Sequence, residues 1–553
     1  MTETIIIKKI ISNACALKNP SLNLYMQKFN FHRQLTELFT DQENQLAYNQ
    51  EQLLSFINLP FSIKNFEKQI KQKNASFTAE NRGVLHTELL NKYKQYPHSS
   101  KVKNNIQLIQ NDHTFTITTG HQLSIAAGPM YLIYKIIHVI RLAEELKKEY
   151  LENNFVPVFW MASEDHDFEE IQSVEIFSKN LKWDSDQKGA VGRFDLEGLD
   201  LVKAEISSFF DNQPESEVKA ILDEYDGKNL SEANFKLIHR LFNSFGLIII
   251  DGDNSNLKRA FIPAIEKELT TQFSFKALHK TNEQIQKEGF KLQVNGREIN
   301  LFYLANQSRE RILHVDNGFF IEGKGTVSLE ELLKEANEYP ERFSPNVILR
   351  PVYQETILPN LCYVGGIGEI SYWLQLKGVF DALELPYPMI QVRTSILWID
   401  PILSKKIEKV SLVLEDLFKD ISKVKKWYLQ EFAADEVDFT SLDVKIDVLK
   451  DSIIDKIIQI DVNLEQYAQA EVVRLTKQLD AIKEKLVKTV KQRHDSAMKT
   501  IDQIYDKLFP NGGMQERNLN LFSLCSDGKV ASKLEYLYSA IDPFDPDFII
   551  IRE

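Results

Sequence analysis

From Ile402 to Phe509 the chain contains neither proline nor glycine, although it has 17 prolines and 21 glycines in all. Residues that break helices are therefore absent over the one stretch where apolar residues recur three and four apart. Ile407, Val410, Leu414, Leu417, Ile421 and Val424 form one such series; Ile457, Ile460, Leu464 and Tyr467 form a second. Leu475, Leu479, Ile482 and Leu486 continue it, and Ala497, Ile501, Ile504 and Leu508 resume it. This spacing predicts long helices packed along a heptad seam, with the turn between them in Glu431–Ser441. If the second helix ran unbroken to Leu508 it would be about 95 Å long at 1.5 Å per residue. Such a helix cannot bury its seam alone. A homodimer through this arm is the expectation, with an intramolecular antiparallel hairpin as the alternative.

Before Pro401 the texture changes. Thr114–Thr119, Phe155–Met161, Leu247–Asp251 and Asn346–Arg350 read as short strands, and Leu361–Val364 joins them. Several precede helical patterns, which predicts parallel strands with helical crossovers, an α/β doubly wound core. The polar stretches near 180–240 and 260–340 read as insertions. The expected division is thus a core over 1–400, a helical arm over 401–510 and a tail over 511–553, whose strand-like Phe548–Ile551 packs back on the core.

A net charge of −13 argues against a nucleic-acid surface, yet allows a local basic pocket for a small anion. No apolar run reaches the roughly 20 residues of a spanning helix, and the amino-terminal Met1–Lys9 lacks the pattern of a secretory signal. Three cysteines, Cys15, Cys362 and Cys525, stand far apart, which fits reduced thiols in a cytoplasm and gives no zinc spacing.

Ligands of an open parallel sheet bind beyond the carboxyl ends of its strands. Four segments meet that condition. In Thr118–Lys135 a strand ends at Gly120, a loop carries His121 and Gln122, and Gly128-Pro129 opens a helix on which Tyr131 and Lys135 lie one turn apart. The loop could present N–H groups to an anion, with His121 as donor or acid, or be an ordinary strand–helix connection. In Trp160–Glu170 four ionisable residues, Glu164, Asp165, His166 and Asp167, follow a very apolar strand. They could hold an amine, a sugar or a metal, or form a solvated turn with an Asp capping the next helix. Arg350, read at a strand end, suits a carboxylate or phosphate bidentately, and equally a structural ion pair. In Tyr363–Trp373 the glycines Gly365 and Gly366 let the backbone approach a ligand, or merely turn tightly, with Glu369 on the following helix. There is no phosphate-loop, dinucleotide, nucleophile-elbow or zinc-helix motif.

Taken in order, Thr118–Tyr131, Pro157–Phe168, Leu349–Glu355, Tyr363–Trp373 and the tail's Pro510–Arg517, with the helical arm, resemble the cysteine-adding enzymes of bacillithiol biosynthesis. The resemblance implies a Rossmann-like core related to nucleotidyl-transferring enzymes, two connecting insertions, a coiled-coil arm that dimerises, and L-cysteine and glucosaminyl-malate as substrates. The implied product is an amide on the sugar's 2-amino group. That bond is uphill in water, so ATP, with magnesium, is the expected activator, and no resident metal is expected. The relatives' His-x-Gly-His motif stands here as Gly120-His121-Gln122, and no Lys-Met-Ser-Lys-Ser loop is present. On this reading Gly120, His121, Gln122, Tyr131 and Lys135 form the activation pocket. Glu164, Asp165, His166 and Asp167 orient the amine and remove its proton, Arg350 binds a carboxylate, and Gly365, Gly366 and Glu369 line the floor. Another ATP-dependent ligase or nucleotidyltransferase on the same core, or a coiled-coil scaffold, are the competing classes.

Overall fold

The computed structural model describes residues 15–16, 26–36, 38–432 and 438–553. The Met1–Lys9 segment, and residues 433–437 of the expected turn, lie outside the described residues. Five strands make the central sheet: β1 (Thr114–His121), β2 (Asn154–Met161), β3 (Ile248–Asp251), β4 (Asn360–Gly365) and β5 (Met389–Val392). Their order in space is β5-β4-β1-β2-β3, and every neighbouring pair is parallel. Phe155–Met161 is buried throughout, as expected of a strand covered on both faces. Helix α1 (Met130–Glu149) buries Ile133, Ile137 and Ile140, and Val139 and Leu142 join Phe115, Ile117, Leu361, Val364 and Met389 in one core. Each such side chain contributes about 1.5–3 kcal/mol by leaving water. This is the doubly wound, Rossmann-like fold the sequence predicted. The strand order reverses between β1 and β4, so the crevice at their carboxyl ends is where such a sheet receives ligands.

The loop from β1 to α1 departs from ordinary backbone. Ala126, Ala127 and Gly128 have φ of 50°, 64° and 58°, and a Cβ on Gly128 would come within 2.6 Å of Ser124 Cβ. Asn520 holds this loop: its side-chain N–H donates to Ala126 O at 2.7 Å and Gly128 O at 2.6 Å. Met130 N–H donates to Leu519 O at 2.8 Å. Residues that follow the arm in sequence thus lock the turn that aims α1.

Asn346–Arg350 is not a strand, contrary to its apolar run. The strand is Phe343–Pro345, and helix α2 (Arg350–Ile357) begins at Arg350 itself. Asn346 Oδ1 accepts the Ile348 N–H at 2.9 Å, closing a turn, and Pro351 suits the first turn of a helix. Phe343–Pro345 instead pairs with Leu301–Ala305, at one edge of a five-stranded antiparallel sheet in the crossover from β3 to β4. Likewise β2 stops at Met161, so Glu164–Asp167 lie beyond the strand and not on it. Helix α3 (Ile367–Ala382) follows β4. The tail's Phe548–Arg552 is a strand, with Ile549 N–H donating to Ser395 O at 3.0 Å.

Residues 398–513, with 35–38 and 552–553, form a separate compact unit. Its helices are α4 (Pro401–Lys409), α5 (Ile421–Phe432), α6 (Thr440–Ile460) and α7 (Glu465–Leu508). The first apolar series is therefore not one helix: Ser411, at φ 55°, ends α4, and Leu414–Phe418 forms a 3-10 turn. Nor is the second continuous, because Asp461 is extended and its carboxylate accepts the Asn463 N–H at 2.9 Å. The 44 residues of α7 span about 66 Å. Helices α4, α5 and α6 all pack along α7, yet Ile460, Tyr467, Ile482 and Leu486 remain exposed. Among the described residues no helix is long and apolar enough to cross a membrane.

Gly128→Ala is expected to destabilise the sheet unit by about 2 kcal/mol, since only glycine takes this backbone without strain. An earlier urea midpoint at unchanged slope would register it.

Candidate active site

An open cleft of about 830 Å³ lies beyond the carboxyl ends of β1, β2 and β4. Gly120, His121, Gln122, Tyr131, Lys135, Glu164, Asp165, His166, Arg350, Gly366 and Glu369 line it together. Asp167 and Gly365 do not. Asp167 accepts the Glu170 N–H at 3.3 Å and caps the helix Phe168–Ile171. Gly365 ends β4, its carbonyl accepts the Arg393 N–H at 2.8 Å, and a Cβ there would meet Ile370 at 3.0 Å.

Lys135 is at the centre of the switch point. Buried to 1% exposure, its Nζ donates to Gly120 O at 2.5 Å and to Glu369 Oε2 at 2.7 Å. Glu369 Oε2 also accepts the Gly366 N–H at 2.7 Å, and Oε1 the Tyr363 hydroxyl at 3.1 Å. Burial opposes ionisation of Glu369, but the Lys135 charge and these bonds hold its carboxyl below the usual range. The pair ties the end of β1 to the start of α3, and the Lys135 charge is spent in doing so.

His121 reads differently once its partners are seen. Nδ1 lies 3.1 Å from the Gln122 carbonyl, which only accepts, so Nδ1 carries the proton. Nε2 then accepts the Tyr131 hydroxyl at 2.8 Å. Burial, reinforced by the Lys135 charge, pushes the imidazole down to about 4, so at neutral pH it is uncharged. Burial likewise pushes Tyr131 up to about 12. The two rings are stacked 5.2 Å apart and form a neutral wall.

Gln122 Nε2 donates to Asp165 Oδ2 at 2.8 Å, and Asp165 Oδ1 accepts the His166 N–H at 2.7 Å. Burial resists the charge on Asp165, but hydrogen bonds from His166 and Gln122 and the nearby Arg309 hold it well below the usual carboxylate range. Arg309 donates to His166 Nδ1 at 3.0 Å and lies 3.9 Å over the Phe302 ring. Glu164 is buried and paired with Lys258, which is fully buried. Arg350 donates to Gln354 Oε1 at 3.3 Å and to the Tyr372 hydroxyl at 3.2 Å, with no carboxylate partner within 4 Å among the described residues. It is not a structural ion pair.

The sequence reading missed Arg297, Arg309, Arg311, Arg393 and Arg517, all of which line the cleft, and Lys258 behind it. Arg393 donates to Glu516 Oε1 at 2.6 Å, and its guanidinium lies 5.2 Å from the centre of the Tyr131 ring. Arg309 and Arg311 lie two apart on one strand of the insertion sheet, and so on one face of it, in a stretch read from sequence only as a polar insertion. Counting Lys135, seven cationic side chains line the cleft against the four carboxylates of Glu164, Asp165, Glu170 and Glu369. The cleft is thus positive in a chain of net charge −13.

A doubly wound sheet with a cationic cleft at its switch point defines an enzyme-like site for small anions. Residues 24–394 match the family model "Bacillithiol biosynthesis BshC, N-terminal Rossmann-like domain", and residues 396–553 match "Bacillithiol biosynthesis BshC, C-terminal coiled-coil domain". A Flavobacterium johnsoniae protein named "Putative cysteine ligase BshC" is 39% identical over 496 residues, covering 89% of this chain and 93% of that one. A Cytophaga hutchinsonii protein of the same name is 39% identical over 523 residues, covering 92% and 95%. The namesake from Bacillus cereus is 29% identical over 437 residues, covering 75% and 81%. The chain belongs to the BshC family of bacillithiol biosynthesis, and it is a ligase.

Lys135→Met would strand Glu369 without its cation, costing about 3 kcal/mol. The double variant with Glu369→Gln should recover part of that loss in chemical denaturation; full additivity of the two losses would show the pair to be uncoupled.

Proposed function

We propose that this ligase joins L-cysteine to the 2-amino group of glucosaminyl-malate through an amide bond, completing bacillithiol. The observation that supports the reading is the surplus of guanidinium groups in the cleft. Glucosaminyl-malate brings the carboxylates of its malyl group, and Arg350, free of any carboxylate partner within 4 Å, suits one of them. A free cysteine carboxylate does not condense with an amine in water, so it needs a leaving group, and ATP is the proposed source. The exposed guanidiniums of Arg297, Arg311 and Arg517 fit its phosphates, with magnesium carried on the phosphate oxygens. The neutral His121–Tyr131 pair shapes the wall beside that charge and does not serve as a cationic acid. In the same reading the enzyme is cytoplasmic, with Cys362 and Cys525 as buried thiols outside any disulfide. It is also a homodimer, covering the apolar residues left exposed on α6 and α7.

Purified protein incubated with L-cysteine and glucosaminyl-malate should form bacillithiol, followed by mass, only when ATP and magnesium are added. Product without them would remove ATP from the scheme; no product in either tube would remove the substrates. Arg350→Ala is expected to raise KM for glucosaminyl-malate about 10- to 100-fold with little change in kcat, the loss of one charge-assisted contact. An unaltered KM would take Arg350 out of the binding site. Sedimentation of the full chain should show twice the monomer mass, and charged substitutions at Ile482 and Leu486 should halve it.

A further inference from the structure

We propose that Glu164 is the general base of the reaction and that Lys258 is the residue that positions it, an inference that rests on the amide-forming activity proposed above. Glu164 stands three residues beyond the end of β2, lines the cleft and is 8% exposed. Lys258 rises from the short helix Ser255–Arg259 after β3; its Nζ binds Glu164 Oε1 and donates to Phe343 O at 2.8 Å. One ammonium thereby ties the carboxylate both to the β3 side of the sheet and to the insertion sheet. Glu164 Oε2 has no hydrogen-bond partner among the described residues. A carboxylate with one oxygen clamped and the other open to a cleft has a lone pair of fixed direction, which is what a base must offer.

The other acids of the same turn are already engaged. Asp165 takes hydrogen bonds from Gln122 and the His166 N–H, and Asp167 caps a helix. Around Glu164, burial outweighs everything else and pushes its carboxyl up to about 7. Lys258 and Arg309 oppose that shift, and Asp253 adds to it. Arg193, bound to Asp253 at 2.7 and 2.9 Å, adds positive charge, while the Tyr353 hydroxyl is turned away to Gly252 O at 3.0 Å. Glu164 therefore changes protonation state near neutral pH, where a base can both take and release a proton.

In the step itself the neutral 2-amino nitrogen attacks the cysteine carboxyl carbon, which carries a phosphate-class leaving group drawn from a nucleoside triphosphate. The N–C bond forms, the bond to the leaving oxygen breaks with its electron pair, and the surplus proton on nitrogen passes to Glu164 Oε2. Glu164 then returns that proton to solvent through the open cleft.

The test is the pH dependence of kcat/KM for the full-length wild type, Glu164→Gln, Lys258→Met and Lys258→Arg. Wild-type activity should rise with pH through a limb near 7 as the carboxyl loses its proton. Glu164→Gln is expected to lower kcat about 10²- to 10⁴-fold and abolish that limb. KM for glucosaminyl-malate should stay within about threefold, because a base acts in the transition state and not in binding. Lys258→Met removes the cation that favours the ionised form, so the limb should move to higher pH and activity recover as pH rises. Lys258→Arg should restore the wild-type profile, which mere loss of packing would not explain. Circular dichroism of each variant identifies any that fails to fold. For such a variant a wild-type carboxyl stretch titrating near pH 7 in difference infrared supports the assignment, and its absence overturns it. Glu164→Gln with the wild-type kcat and limb would overturn the base assignment and leave the ligase reading standing. A wild type that forms no amide would overturn the ligase reading, and the base with it.

Discussion

Lys135 places a buried ammonium between the carbonyl near the end of β1 and the carboxylate near the start of α3. Those two elements flank the point where the strand order turns back, the one place in a doubly wound sheet where neighbouring strand ends are not bridged by a direct crossover. Without a cation there, the Gly120 carbonyl oxygen and the Glu369 carboxylate would face each other as two negative groups. With it, Glu369 can also hold Tyr363 and the Gly366 N–H, and the cleft acquires a floor of known shape.

The ionisable groups around that floor fall into two sets. Lys135, Glu369, Asp165 and Arg393 are committed to partners within the protein and give the cleft its form. Arg350 has only neutral partners, and the side chains of Arg297, Arg311 and Arg517 have no hydrogen-bond partner within the chain among the described residues. The second set carries charge outward and makes the cleft positive. Glu164 stands between the two, with one oxygen in each.

Much of this was legible in the sequence because the strand ends carry their chemistry in short runs. Gly120–Gln122, Glu164–His166 and Gly366–Glu369 are contiguous segments after recognisable strands, and the fold brings all three to one cleft. Arg350 was found for an incorrect reason. A run of Val, Ile and Leu fits a buried strand or a buried turn equally well, and the Asn346 side chain decided between them. Asp167 proved to be a cap, which local chemistry alone allowed. The arginines of the insertion sheet and Lys258 were illegible because their value is tertiary: each is an unremarkable polar residue until a crossover carries it across the cleft. The breaks at Ser411 and Asp461 escaped notice because neither Pro nor Gly marks them.

The clamp on the β1–α1 loop has a consequence in time. Asn520, Leu519 and Glu516 all follow the helical arm in sequence, yet Asn520 and Leu519 secure a turn built from residues about 390 positions earlier, and Glu516 holds Arg393 in the cleft wall. On the ribosome the sheet can assemble from β1 to β5 while the arm is still being made, but its binding site stays unfinished until the last stretch of chain emerges. The cleft is thus finished only when the segment after the arm is in place.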